Sequence, residues 1–301
     1  MHNPEDRGPF PLPRESTSQS AQHLAAESLA PPKPQARAGT AGRRRVLLPL
    51  VLYIATCWTT YQAWHSAAYA VAVMLILTAH EMGHFIQARR YRVPASWPFF
   101  IPMPSGPLGT MGAVIAMRAH SGDRKAMFDI GISGPIAGLI FAVIFSLYGL
   151  TLSTVVDPKT ISTGLQLGEP LFFKWLSHLV FGAIPEEKEL ILHPIAYAGW
   201  VGIFITALNL FPIGQLDGGH ILYALLRKKA HIVSFMVLIG AIAGVVYFQY
   251  WGWSLMLALL VLMGPRHPPT ADDSVPLGLG RTILGWVSLA FLPFGFTPVP
   301  F

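Results

Sequence analysis

The chain has 301 residues, of which 52% are hydrophobic and only 12% charged, with a mean hydropathy of +0.48. A soluble domain is about a quarter charged, so too little charge is present to cover a globular exterior, and a disordered chain needs the opposite balance. The composition is that of a membrane protein. The net charge of +6 is therefore read by position, as a guide to orientation and not as a nucleic-acid surface.

Residues 1–42, rich in Pro, Ala, Ser and Gln, read as a disordered tail, with 43–301 as one membrane-embedded unit whose core is 67–230. The tail reads as neither a cleaved signal nor an acid-poor transit peptide: the first apolar run begins near Val46, and the tail holds Glu5, Asp6, Glu15 and Glu27. A single cysteine, Cys57, lies in an apolar segment and reads as an inert buried thiol.

About six apolar segments have the length of membrane-spanning helices. They are Val46–Trp64, Ala67–Ala88, Ala126–Leu150, Ile195–Phe211 with a continuation to Leu226, Ile232–Phe248 and Trp253–Met263; Ile283–Pro293 is too short to count. Fourteen of the 21 Lys and Arg residues fall in five clusters: Arg43–Arg45; Arg89, Arg90 and Arg92; Arg118, Arg124 and Lys125; Arg227–Lys229; Arg266 and Arg281. Alternating spans place all five on one side, which the positive-inside rule makes cytoplasmic, along with the N-terminus. Trp58, Trp64, Tyr69, Trp251 and Trp253 fit an interfacial aromatic belt.

Two connections are more than turns. Val93–Arg118 has prolines that forbid a helix interior, followed by the β-prone run Gly109–Met117, and predicts a small β-hairpin dipping into the cytoplasmic interface. The external stretch Thr151–His193, with Glu186, Glu187 and Glu189, predicts an amphipathic interfacial piece too short for an independent domain.

The second span contains His80-Glu81-Met82-Gly83-His84. Residues i and i+4 share a helix face, so both imidazoles can reach one ion and the glutamate can reach a water bound to it. A pair of structural histidines is the bland alternative, but ionisable groups within a span are costly and usually functional. A catalytic site needs a third ligand. The downstream glutamates all lie in the external stretch, and Asp129, at the start of the third span, reads as solvated or capping. Asp217 follows Pro212 and Gly214, which break a long apolar segment and leave non-helical backbone at depth. It is the third ligand in this reading, ahead of a role as helix cap. His220, one turn later, could touch a ligand from behind but reads first as a cytoplasmic surface histidine.

H-E-x-x-H followed by N-x-x-P-x-x-x-L-D-G (Asn209–Gly218) resembles the site-2 protease family of intramembrane zinc metalloproteases. The intervening Gly131, Gly134-Pro135 and Gly138 are similar to that family's glycine-rich core helix, and the resemblance covers roughly Leu75–Leu226. It implies zinc held by His80, His84 and Asp217, Glu81 as catalytic base, and Asn209 near the substrate. Asn209 is equally explained as satisfying the break at Pro212. The implied substrate is the transmembrane segment of another protein, cut near the cytoplasmic face in regulated intramembrane proteolysis. The partners are that substrate, the bilayer and a regulatory protein, but no nucleic acid. The implied location is a bacterial-type inner membrane. A metal transporter or sensor is the alternative, though only one broken helix is evident where transporters usually pair them; a non-catalytic scaffold is a third.

Overall fold

The computed structural model describes residues 38–117, 121–157, 167–185 and 187–300. Most of the expected tail, residues 1–37, together with Arg118 and Glu186, lies outside them. The element order is α1 (Ala38–Trp64), α2 (Ala67–Arg90), β1 (Phe99–Pro102), β2 (Thr110–Val114), α3 (Arg124–Thr151), β3 (Thr154–Val156), α4 (Leu171–Phe181), β4 (Glu189–Ile191), α5 (Pro194–Asn209), α6 (Asp217–Leu226), α7 (Ala230–Phe248), α8 (Ser254–Met263), α9 (Leu279–Ala290) and α10 (Leu292–Gly295). The fold is mainly helical with two small antiparallel sheets, β1–β2 and β3–β4. Among the described residues, four segments are long and apolar enough to cross a membrane: Val46–Trp64, Ala67–Arg90, Arg124–Thr151 and Asp217–Phe248. Their outer faces carry exposed apolar side chains such as Leu50, Ile54, Ile140 and Ile144, as lipid contact demands.

At the centre, α2, α3 and α5 pack on one another. Lipid removes the hydrophobic drive for helix association, so close packing through small residues has to supply it. Gly199 of α5 sits where an added Cβ would lie 2.5 Å from the Ser146 backbone nitrogen, and at Gly202 it would meet Ala142 and Ile76 at 2.8 and 2.9 Å. Tyr69, Val73, Ile76, Leu77, Tyr197, Trp200 and Ile203 fill the core around these contacts.

Serine and aspartate cap the first two central helices. Ser66 accepts the Tyr69 N–H at the start of α2, and Asp123 Oδ1 accepts the Ala126 N–H at 2.7 Å at the start of α3. Asp129, expected to be solvated or capping, is instead gripped by Arg281 of α9 (Nε–Oδ1 2.7 Å, Nη2–Oδ2 2.8 Å) and by the Tyr91 hydroxyl. That fork fixes one end of α9. At the other end Phe291 packs on Phe172, and Phe296, just past α10, packs on Phe204 and Trp253. The segment judged too short to span is made of α9 and α10, which stay shorter than the spanning segments, with Pro293 in the first turn of α10.

The hairpin also departs from expectation. It forms between α2 and α3 as foreseen, with Phe100 opposite Ala113 and a bulge before Pro102, yet it is not confined to the arginine-rich end of α2. Trp97 near its base stacks on Phe85 at 5.0 Å, whereas its tip reaches the far end of α2. There the Trp64 indole and the Tyr197 hydroxyl both donate to the Pro107 carbonyl, and the Tyr69 hydroxyl donates to that of Leu108. Gly109 makes this approach possible: an added Cβ would sit 2.6 Å from the Thr59 carbonyl oxygen. Trp64 and Tyr69 are thus anchors for the hairpin more than members of a belt.

The stretch between α3 and α5 supplies the β3–β4 pair and α4, which buries Phe173 and Leu176 and leaves Leu171, Trp175 and Leu179 exposed. The exposed residues are spaced four apart, an apolar stripe of the kind expected of a helix lying in an interface.

Candidate metal centre

The α2 backbone delivers His80, Glu81 and His84 on adjacent turns, all buried, with exposures of 3, 4 and 7%. The α5–α6 break delivers the rest. Helix α5 ends at Asn209, the chain turns through Phe211-Pro212, and Gly214 takes a left-handed φ of +55°. At Gly218 an added Cβ would lie 2.0 Å from the Leu210 carbonyl oxygen, so only glycine lets α6 start pressed against its own approach. Asp217 is the first residue of α6, where the N–H groups and helix dipole favour a carboxylate. Ser234 of α7 braces the break by donating to the Pro212 carbonyl at 2.7 Å.

Three ligand-type side chains converge from these elements. His80 Nε2 lies 3.1 Å from Asp217 Oδ2, His84 Nε2 lies 3.3 Å from Asp217 Oδ1, and the two Nε2 atoms are 3.2 Å apart. The chemistry of this donor set is informative. His84 Nδ1 is 2.7 Å from the Ile130 carbonyl, which can only accept, so Nδ1 carries the proton and Nε2 presents a lone pair. A tetrahedral ion with bonds of about 2.0 Å separates its ligand atoms by about 3.3 Å, and each of these contacts has about that length, with Asp217 facing His80 through Oδ2 and His84 through Oδ1. The residues therefore fit a tetrahedral divalent ion, with the fourth position left over. Among the described residues this is the one cluster of three His, Cys, Asp or Glu side chains placed to share an ion.

Asn209 Nδ2 lies 3.3 Å from His80 Nε2, so its amide faces the ligand cluster. The glycine face of α3 seats the imidazoles: an added Cβ at Gly138 would meet His80 Nδ1 at 3.0 Å, at Gly134 it would meet His84 Nε2 at 2.0 Å, and at Gly131 it would meet the His220 Cβ at 2.9 Å. The spacing i, i+3, i+7 puts all three glycines on one helix face. Together they form the floor of the site.

Two features escaped the sequence reading. His220 is not a surface residue; its Nδ1 is 2.5 Å from His267 Nε2 on the loop after α8. Arg124 crosses from the start of α3 to close the other end of α6, donating Nε to the Ala224 carbonyl at 2.5 Å and Nη2 to that of Leu225 at 3.2 Å. A guanidinium on the last carbonyls of a helix satisfies both orphan acceptors and the dipole. Arg124→Ala is expected to cost about 1–3 kcal/mol, read as a lower thermal midpoint of the purified protein. Arg124→Lys, which has a point charge but no fork, should recover only part of it; an unchanged midpoint in the alanine variant would show the cap to be idle.

The model of peptidase family M50 matches residues 68–247. The chain is 32% identical over 242 residues to the Arabidopsis thaliana protein named "Probable zinc metalloprotease EGY1, chloroplastic", covering 76% of this chain and 42% of that relative. It is 27% identical over 247 residues to "Probable zinc metalloprotease EGY2, chloroplastic" of Oryza sativa subsp. indica, covering 77% and 43%. A third relative, the Arabidopsis "DDT domain-containing protein PTM", is 32% identical over 168 residues, 54% of this chain and 9% of its own length. The chain thus spans about two fifths of the metalloprotease relatives it matches. No solved structure matches. A family match from α2 to the end of α7 takes in both halves of the ligand cluster, and the chain belongs to peptidase family M50, the site-2 protease family.

Proposed function

We propose that the protein is a zinc endopeptidase that hydrolyses a peptide bond in the transmembrane segment of another membrane protein, in regulated intramembrane proteolysis. The observation that carries this reading is the triangle of His80 Nε2, His84 Nε2 and Asp217 Oδ1/Oδ2, with edges of 3.1 to 3.3 Å and a general base on the adjoining residue. Zinc, when bound, lowers the pKa of a coordinated water to about 7 and polarises a carbonyl. His80, His84 and Asp217 would hold it. Glu81, buried beside them, takes the proton from the attacking water and returns it to the leaving nitrogen. Asn209, with its amide directed at the same spot, donates to the oxygen on which negative charge develops.

Depth supports an intramembrane bond. His84 precedes Arg89 by five residues, about 7–8 Å along the helix, which supports a site inside the apolar belt and nearer the arginine-rich end. That end faces the cytoplasm in this reading, and the membrane is the cell membrane, of bacterial inner-membrane type. A spanning substrate hides its amides in helical hydrogen bonds and must unwind before attack. The β1–β2 hairpin runs along α2 past the site, and an unwound strand added to its edge would have its amides satisfied there. Substrate and bilayer are the partners, with a regulatory protein as a further one.

The test uses purified protein and a fluorescent spanning peptide in detergent. Asp217→Ala is expected to lose bound zinc and all cleavage, and the product of the parent enzyme should carry one heavy oxygen when formed in ¹⁸O water. Zinc retained in full by Asp217→Ala, or no ¹⁸O in the product, would sink the assignment.

A further inference from the structure

The loop between α8 and α9, residues 264–278, is tied down far more than a connection between two helices requires. His267 is its fulcrum and is 4% exposed. Its Nδ1 lies 2.5 Å from the Pro268 carbonyl, its own carbonyl lies 3.1 Å from His231 Nε2, and its ring stacks on that of Tyr223 at 4.6 Å and 23°. Burial, reinforced by the neighbouring His220, pushes the His267 imidazole down to about 3, so the ring is neutral under all ordinary conditions. Its tautomer then follows from the partners. The Pro268 carbonyl can only accept, so Nδ1 carries the hydrogen and Nε2 is the acceptor. His220 Nδ1 must be the donor across the 2.5 Å contact.

The same loop holds α6 at a second point, where the Tyr223 hydroxyl donates to Asp273 Oδ2 at 2.7 Å and Thr270 donates to Oδ1 of the same carboxylate at 2.6 Å. Asp217, His220 and Tyr223 follow one another at intervals of three along α6, which is only ten residues long. His220 is wedged between this loop and α3, where its Cβ faces Gly131. A rotation of α6 about its axis would have to break the His220–His267 contact before it could swing Asp217 away from the imidazoles.

We propose that His267, acting through His220, is a positioning residue for the metal centre: the loop is a strap that sets the rotation of α6 and so aims the Asp217 carboxylate at His80 and His84. The proposal rests on Asp217 being a metal ligand, as argued above. Neither His220 nor His267 touches the ion. They act on the ligand triangle through the helix that carries one corner of it.

Zinc affinity is the readout, measured on the full chain in detergent, stripped with chelator and titrated with Zn²⁺ against a chromophoric competitor. His267→Ala should weaken binding by about 10–100-fold, the usual effect of removing a group that orients a ligand. His267→Gln, whose Oε1 can stand where Nε2 accepts, should recover most of the affinity, whereas His267→Asn, one carbon shorter, should not. His220→Asn, whose amide stands where Nδ1 donates, should likewise outperform His220→Gln. Cobalt substitution gives a second view: the visible bands of His267→Ala should shift relative to the parent, which a general loss of stability would not cause. Asp217→Ala is the reference. If it binds zinc as tightly as the parent, the ligand assignment itself has failed. If it loses zinc while His267→Ala binds within about twofold of the parent with unchanged cobalt bands, the strap is overturned. Should His267→Ala not fold, equal affinities for His267→Gln and His267→Asn overturn it instead.

Discussion

Glu81→Gln is expected to lower turnover of a spanning peptide by about 10²–10⁴-fold, the contribution of a well-placed general base, with no change in bound zinc. The substitution keeps the volume of a side chain that is only 4% exposed, so packing around it is undisturbed. It removes the one capability the reaction needs at that position, which is acceptance of a proton from the attacking water. Glu81 lies next to His80 in sequence but is not part of the ligand triangle, so metal retention separates its role from theirs. Single-turnover cleavage alongside metal analysis checks the result. A variant that cleaves within tenfold of the parent would remove Glu81 from the chemistry and point to another base.

Gly134→Ala should be as damaging by a different route. The new methyl would stand 2.0 Å from His84 Nε2, 2.4 Å from Cε1 and 2.5 Å from Cδ2, all far inside contact distance. An imidazole on a free rotor could move away cheaply. This one cannot, because its Nδ1 is pinned to the Ile130 carbonyl at 2.7 Å and its Nε2 belongs to the triangle. Zinc affinity should fall by at least about 100-fold, beyond the range for losing an orienting neighbour, while the apoprotein still folds. Gly138→Ala, where the clash with His80 Nδ1 relaxes to 3.0 Å, should do less. The order is what titration of both apoproteins tests, and the reverse order, or parent affinity in Gly134→Ala, would contradict the geometry.

The part of the centre written in local spacing is legible in the sequence alone. His80 and His84 share a face because a helix repeats every 3.6 residues, and Asp217 stands out because a charge beside broken backbone at depth needs a reason. The structure brings these three together, and the family match covers them. What could not be read depends on contacts between remote segments. Prolines and β-prone residues foretell the hairpin, but its reach depends on hydrogen bonds from Trp64, Tyr69 and Tyr197 to two carbonyls, and no pattern encodes such pairings. His220 has the look of a surface residue because its partner, His267, lies 47 positions away in a loop without periodicity. Asp129 is misplaced for the same reason: Arg281, which claims it, is 152 positions distant.

The bare face of α3 also limits how the enzyme can move. Gly131, Gly134 and Gly138 leave room for His220, His84 and His80 in a single alignment. Slipping α3 along its axis by three or four residues toward one end would bring Phe128 and Pro135, or Met127 and Ile130, against imidazoles; toward the other it would bring Phe141 or Pro135. Each alternative alignment sets a bulkier side chain where a hydrogen now sits. The helices that carry the ligand cluster are accordingly held in one alignment, and any larger motion has to be made by the parts around them.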